Sequence, residues 1–340
     1  MQVTYLILSI LVISKSVMRI HLALPVLITM LCIAIPRGNA QRSAPQKLNK
    51  QLSLAFVTNN PADFWMVARK GVEKAEKELG IKVDYQMPSN GTAAEQTQIV
   101  NDLLAKGVDG IAISPVDPDN QTNFINSTSA RTLVFTQDSD APHSKRTCFI
   151  GTDNIAAGYQ AGEELKKALP RGGNIMIFVG RRDARNAADR IKGLKESLGQ
   201  SRIKVLGVRT DDTDRVKAKA NVSDALIRYP KLAACVGIWS YNGPAILSAL
   251  RDAKKTGKVK IVCFDEEEDV LSGIKNGEIS AAIVQQPFQF GYQSIINMAK
   301  FLRGDKSVVP ANRQVFIPTV VIRQKNVASF RKQLAQLRGR

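Results

Sequence analysis

From residue 52 onward, short continuous apolar runs alternate with longer stretches whose apolar residues recur every three or four positions. The first kind reads as buried strand and the second as amphipathic helix. Residues 52–58, 81–85, 110–114, 133–136 and 148–150 are predicted strands. Between the first two, Phe64, Ala68, Val72, Ala75 and Leu79 keep helical spacing up to Gly80, a residue suited to ending a helix. A second helix carries Ile99, Leu103 and Leu104 and stops at Gly107. The alternation restarts with strands predicted at 175–179, 203–208, 233–238, 259–264 and 279–284, and helices at 157–168, 186–198, 216–228, 244–255 and 288–301. Apolar runs without a polar-facing alternation suit parallel strands covered on both faces. Repeated strand–helix order with short connections predicts an α/β fold. Given twice in 340 residues, it predicts two doubly wound parallel-sheet lobes.

The first 40 residues differ. Arg19 and His21 precede a largely apolar stretch to Ile35 and then Gly38-Asn39-Ala40, the order of a secretory signal with a small-residue cleavage site. A signal peptide is expected over 1–40, with the true start possible at Met18, and the mature chain would begin at Gln41 in the periplasm. Residues 41–50 are polar and contain Pro45, a flexible lead-in. Beyond residue 40 no apolar stretch approaches the roughly 20 residues of a membrane-spanning helix.

Composition narrows the function. The net charge is +18; residues 1–40 supply Lys15, Arg19 and Arg37 and no acid, leaving 45 basic against 30 acidic residues. The basic residues are scattered, without a dense Lys/Arg run interleaved with aromatics. They read as a solvated basic surface, and no nucleic-acid partner is expected. Cys148, Cys235 and Cys263 each sit in an apolar run, Cys32 lies in the leader, and no C-x-x-C spacing occurs. They read as small buried hydrophobes. Only His21 and His143 exist, so a histidine-centred triad or metal cluster has too few members. G-x-S-x-G, the phosphate-binding loop and a G-x-G-x-x-G after a strand are missing. An enzyme is not expected, nor a metal or cofactor.

In open α/β sheets ligands sit beyond the carboxyl ends of the strands. Polar residues gather there: Asn59-Asn60, Ser114-Pro115, Gln137 to Asp140, Arg181 to Asp183, Asp211 to Asp214, Ser240 to Asn242, Asp265 and Gln285-Gln286. Polar loops at strand ends are general in such folds; the repeated choice of Asn, Asp, Gln and Arg beside aromatics is not.

The order Asn59-Asn60-Pro61, Phe64-Trp65 and Gly71, then Gly110 to Pro115, Asp138-Ser139-Asp140 and Gly151 to Asn154 with Gly158, resembles type I periplasmic binding proteins of the ribose-binding group. Asn186-Ala187, Arg190 and Gly193, Asn242 to Ala245, Phe264-Asp265 and Gln285-Gln286-Pro287 extend the likeness over roughly residues 50–325. The resemblance implies two lobes joined by a three-strand hinge, with crossovers near Gly151, Gln285 and Pro310. The first lobe would hold 51–151 plus 286–314, the second 152–285 plus 315–325, and 326–340 would be a basic C-terminal tail. It also implies a substrate-binding protein that closes on a monosaccharide or other small polar ligand and delivers it to an ABC permease as a monomer. The same closed form would serve a sensor feeding a chemoreceptor or histidine kinase. A lactose-repressor-type regulator would need a helix-turn-helix before Leu52, where the chain is apolar.

Contacts implied by the resemblance are Asn60, Phe64, Trp65, Asp138, Ser139, Arg190, Thr213, Tyr241, Asn242, Asp265 and Gln285. Carboxylates would accept sugar hydroxyls, Arg190 would donate a fork of bonds, and Phe64 and Trp65 would face the ring. Ser139 stands where ribose binders carry arginine, and Thr213 where they carry an aromatic. A ligand other than ribose is therefore expected, with Trp239 and Tyr241 as compensating surface.

Overall fold

The computed structural model describes residues 51–338; the expected leader and lead-in lie outside them. The first sheet contains β1 (Ser53–Val57), β2 (Lys82–Gln86), β3 (Gly110–Ile113), β4 (Leu133–Gln137), β5 (Cys148–Gly151) and β11 (Gln314–Phe316), in the order β11-β5-β4-β3-β1-β2. The second contains β6 (Gly173–Val179), β7 (Ile203–Thr210), β8 (Leu232–Gly237), β9 (Lys260–Phe264), β10 (Ala281–Val284) and β12 (Val320–Ile322), in the order β12-β10-β9-β8-β6-β7. All pairings are parallel except that of β10 with β12.

Each sheet is covered on both faces, which accounts for the unbroken apolar runs. Leu54 and Phe56 point to one side, with Trp65, Val72, Phe290 and Met298 of helices α1 (Asp63–Leu79) and α9 (Pro287–Leu302). Ala55 and Val57 point to the other, with Val100, Leu103 and Ile125 of α2 (Ala93–Ala105) and α3 (Thr122–Ser129). In the second sheet Ile175, Ile177 and Val179 face α4 (Asn154–Ala168) and α5 (Arg185–Leu198). Met176 and Phe178 face α6 (Arg215–Arg228), α7 (Asn242–Asp252) and α8 (Glu268–Lys275). Cys148, Cys235 and Cys263 are buried and unpaired within these layers.

Helix ends follow local chemistry. α1 closes on Gly80 at φ 63, whose N–H bonds Glu76 O, the left-handed cap for which glycine carries least penalty. Asp153 and Asp214 accept backbone N–H groups at the starts of α4 and α6, satisfying donors the helix leaves unpaired.

The chain crosses between sheets three times: after β5, after β10, and between β11 and β12. The third crossing spans residues 317–319 and corrects the expectation of one near Pro310. Val315 and Phe316, expected in the second lobe, pair with Ile150 and Gly151 in the first sheet. Pro318 divides what reads as one apolar run because proline brings no ladder donor. Within the expected basic tail, Val327–Arg338 forms a helix, α10, with Val327 and Leu334 buried.

Candidate ligand-binding site

Asp138 and Asp265 take equivalent places in the two sheets, one residue beyond β4 and one beyond β9. Both are left-handed, at φ 58 and φ 64. Such backbone in a non-glycine residue costs of order 1–3 kcal/mol and gathers at functional sites. In each case the backbone N–H is anchored on the neighbouring strand, Asp138 to Ile150 O at 3.1 Å and Asp265 to Ile283 O at 3.0 Å.

On the first-lobe side, Ser114 Oγ donates to Asp138 Oδ2 at 3.0 Å. Asn59 Nδ2 donates to Ser114 Oγ at 3.0 Å and reaches Asp138 Oδ2 at 3.5 Å. Trp65 Nε1 fixes Asn59 Oδ1 at 3.1 Å. Beneath them buried Gln96 donates to Thr58 O at 2.9 Å and Ser114 O at 2.7 Å, tying together the loops that follow β1 and β3.

On the second-lobe side, Arg190 of α5 is 2% exposed. Its Nε donates to Asn154 Oδ1 at 2.9 Å and its Nη1 to Ile238 O at 2.9 Å. Its guanidinium lies 4.4 Å over the Phe264 ring. Helices α4 and α5 reach this closeness through glycine: a Cβ on Gly158 would stand 2.0 Å from Arg190 O, and one on Gly193 1.9 Å from Ile155 O. Gln285 Nε2 donates to both oxygens of Asp265, at 3.2 and 3.3 Å, and its Oε1 accepts from Thr152 Oγ1 at 3.1 Å.

These groups form one electrostatic unit spanning the lobes. Burial pushes the Asp138 carboxyl up to about 6, against the Ser114 bond and the Arg190 charge, with Asp265 adding repulsion. Asp265 is also raised by burial, with Arg190 and Gln285 opposing. Burial lowers Arg190, while Asp265 and Asp138 hold its proton. A desolvated cation within the electrostatic reach of two carboxylates, beside half-buried amides, can grip a neutral hydroxyl-rich molecule by charge-assisted hydrogen bonds.

A second cluster lies beyond β6, β7 and β8. Buried Asp211 accepts from Thr213 N at 3.0 Å, Asn242 Nδ2 at 3.2 Å and Tyr241 Oη. Trp239 Nε1 donates to Asn186 Oδ1 at 3.3 Å, one helical turn from Arg190, and the indole meets Tyr241 edge-on at 6.4 Å.

Several expected residues therefore do different work. Trp65 is 1% exposed and belongs to the core; Phe64, half-buried, meets it edge-on at 4.9 Å and is the aromatic left at the surface. Asn60 is exposed and its Oδ1 accepts Ala62 N, so Asn59 takes the inward position. Asn242 is fully buried, its amide spent on Asp211 and Trp239 N; it braces the loop. Thr213 is exposed, its hydroxyl turned to Asp212 O. Ser139 and Tyr241 are half-buried at strand ends. Asn59, Ser114, Thr152, Asn154 and Asp211, which these networks include, are not among the expected contacts; their one signal is position just after a strand.

A cavity of about 570 Å³ lies elsewhere, along the β1–β2 edge, lined by Ser53, Arg69, Glu73, Glu76, Lys82 and Tyr85. Arg69 pairs with Glu73, and none of the expected contact residues lines the groove. Among the described residues no group of three or more His, Cys, Asp or Glu is placed to hold a metal, and no helix is long and apolar enough to cross a membrane.

The sequence profile of the periplasmic binding protein domain matches residues 54–306. The ribose import binding protein RbsB of Bacillus subtilis is 27% identical over 283 residues, covering 82% of this chain and 90% of that protein. An ABC transporter solute-binding protein of Burkholderia graminis, solved with D-arabinose, is 29% identical with a TM-score of 0.76, over 82% of this chain and 97% of that one. XylFII in the XylFII–LytSN complex is 26% identical with a TM-score of 0.71, over 81% and 98%.

Proposed function

Because the chain belongs to the periplasmic binding protein family, a family of binders and not of enzymes, we propose that it captures a monosaccharide between its lobes and presents it to an ABC permease. The observation that carries this reading is the Asp138–Arg190–Asp265 unit, assembled from both lobes at the carboxyl ends of their strands. Ring hydroxyls donate to the two carboxylates and accept from Arg190; Asn59, Gln285 and Ser139 complete the polar shell. Phe64 on one side and Trp239 with Tyr241 on the other offer apolar faces to the ring. A ligand held by both lobes favours the closed arrangement by the difference in its affinity for the two states. The closed form then docks on its membrane partner. The RbsB and arabinose-bound relatives support a sugar as ligand; the protein works in the periplasm, as a monomer, without nucleic acid.

A thermal-shift screen of residues 41–340 against D-ribose, D-allose, D-arabinose, other monosaccharides, polyols and nucleosides tests this, since a ligand bound only by the folded state raises Tm. The expected hit is a monosaccharide. Asp138→Ala and Arg190→Ala should each weaken it by about 1–3 kcal/mol per lost contact in calorimetry. Unchanged affinity in both variants would refute the site.

A second reading, a periplasmic sensor feeding a chemoreceptor or histidine kinase, is favoured by the likeness to XylFII in its complex with LytSN. Ligand-dependent stimulation of a permease ATPase supports transport; ligand-dependent capture of a sensor ectodomain supports sensing.

A further inference from the structure

We propose that α10 is an interlobe latch, carried by the second lobe and seated on the first, which stabilises the closed arrangement and slows ligand release. The inference rests on the hinge-closure reading above and concerns residues beyond 54–306, the span matched to the family profile.

The helix is anchored to the second lobe at its base. Arg323, between β12 and α10, pairs through two bonds of 2.6 Å with Glu164 of α4. Gln324 donates to Lys275 O at the end of α8 at 3.1 Å, and Asn326 Nδ2 returns to Val321 O at 3.0 Å. Along the helix, Arg331 bonds Glu268 and, at 2.9 Å, Ser272 Oγ, both on α8.

Its apolar stripe reaches further. Val327, Phe330, Leu334 and Leu337 recur at spacings of three, four and three, which places them on one helical face. They join one apolar cluster with Val270, Leu271 and Ile274 of α8, but also with Val67 of α1 and Phe288 of α9. Helices α1 and α9 pack on the first sheet, so Val67 and Phe288 are first-lobe residues in a second-lobe core. Val67 is 2% exposed. It lies one turn beyond Phe64, so the seat adjoins the ligand site. The far end adjoins it too: Arg338 stands 3.9 Å from Glu266, whose buried Oε2 has no partner among the described residues and which follows Asp265 directly.

Opening the lobes would part α10 from α1 and return Val67 and the Leu334 face to water, so the closed form is favoured by apolar burial the ligand does not supply. The helix thereby acts on residence time more than on capture.

The test compares the full chain with one ending at residue 325 and, in case that truncation fails to fold, with Leu334→Ala and Phe330→Ala. Stopped-flow kinetics with D-ribose, D-allose and D-arabinose and small-angle scattering of the ligand-free protein are the readouts. The expected result is dissociation roughly tenfold faster with association nearly unchanged, and a larger ligand-free radius of gyration. Equal dissociation rates and equal radii would overturn the latch. If none of the three sugars binds even the full chain, the ligand reading falls, while the scattering comparison still decides for or against the latch.

Discussion

Thr152 Oγ1 donates to Gln285 Oε1 at 3.1 Å, joining the first and second crossovers between the sheets. The other end of the same amide holds Asp265. One side chain therefore touches both the hinge and Asp265. Replacing Thr152 with Val keeps the shape and leaves a buried carbonyl oxygen unpaired, a loss of about 1–3 kcal/mol. The denaturant midpoint of T152V should fall accordingly, with an unchanged slope. Ligand affinity should fall several-fold because Gln285 is free to leave Asp265. A variant with full affinity and lowered stability would show that the bond serves the fold alone.

The raised Asp138 has a definite sign. Its carboxyl titrates near 6 in the folded ligand-free protein, against 3.8 as its ordinary value. The folded state thus holds the proton more tightly, and this group's contribution to stability declines as pH rises from about 4 to 6. Asp138→Asn removes that burden. The ligand-free variant should be more stable than the parent at pH 7.5, by up to about 3 kcal/mol, and the gap should shrink to about 1 kcal/mol near pH 4.5 and vanish only well below the ordinary carboxyl value. A chemical-denaturation series on both proteins measures it. Affinity runs the other way: the ligand needs the ionised acceptor, so binding should weaken as pH falls through about 6, and binding near that pH should release protons in calorimetry. A constant gap from pH 4.5 to 7.5 would contradict the assignment.

Arg190 is held by two oriented acceptors and a ring face, a geometry that a planar fork meets and an ammonium does not. Arg190→Lys should therefore behave nearly as badly as Arg190→Met. Both leave Asp138 and Asp265 inadequately neutralised, and breaking such a buried arrangement from one side costs about 3–5 kcal/mol. Ligand binding at pH 7 should disappear from calorimetry in both. A lysine variant that binds normally would mean that charge alone, without direction, is what the site uses.

The strands were legible because burial on both faces writes them as unbroken apolar runs, and the predicted ends of the first ten differ from the observed ones by at most two residues. The run from Val315 to Ile322 misled for a stated reason: hydrophobicity continues through Pro318, while the backbone cannot. The last helix was hidden by its charge, since Arg331, Lys332 and Arg338 mask the apolar spacing of Val327, Phe330, Leu334 and Leu337. In the site, the resemblance put Asp138, Asp265 and Arg190 forward, and the structure sets them within one another's electrostatic influence. It named Asn60, where Asn59 takes the inward position, and it did not single out Asp211 within Asp211 to Asp214. Those choices depend on which way one backbone unit turns after the strand, and a run of similar residues carries no such mark.

The position of Arg190 rests on Gly158, and this is separable from general stability. A Cβ at 158 would meet Arg190 O at 2.0 Å, Arg190 C at 2.7 Å and Arg190 Cα at 2.8 Å, all backbone and none able to swing aside. Gly158→Ala must part α4 from α5, and overpacking of this kind costs about 1–3 kcal/mol or more. It also carries Arg190 away from Asn154 and from the opposite lobe, and binding geometry tolerates only about 0.5 Å. Affinity should fall at least tenfold. Gly207 on β7 is the contrast: its nearest neighbour would be Met176 Sδ at 3.6 Å, ordinary contact, so Gly207→Ala should leave affinity unchanged and stability within about 0.5 kcal/mol. Calorimetry and denaturant titration on the two variants give the comparison. Equal affinities would mean that Arg190 keeps its place without the close approach of the two helices.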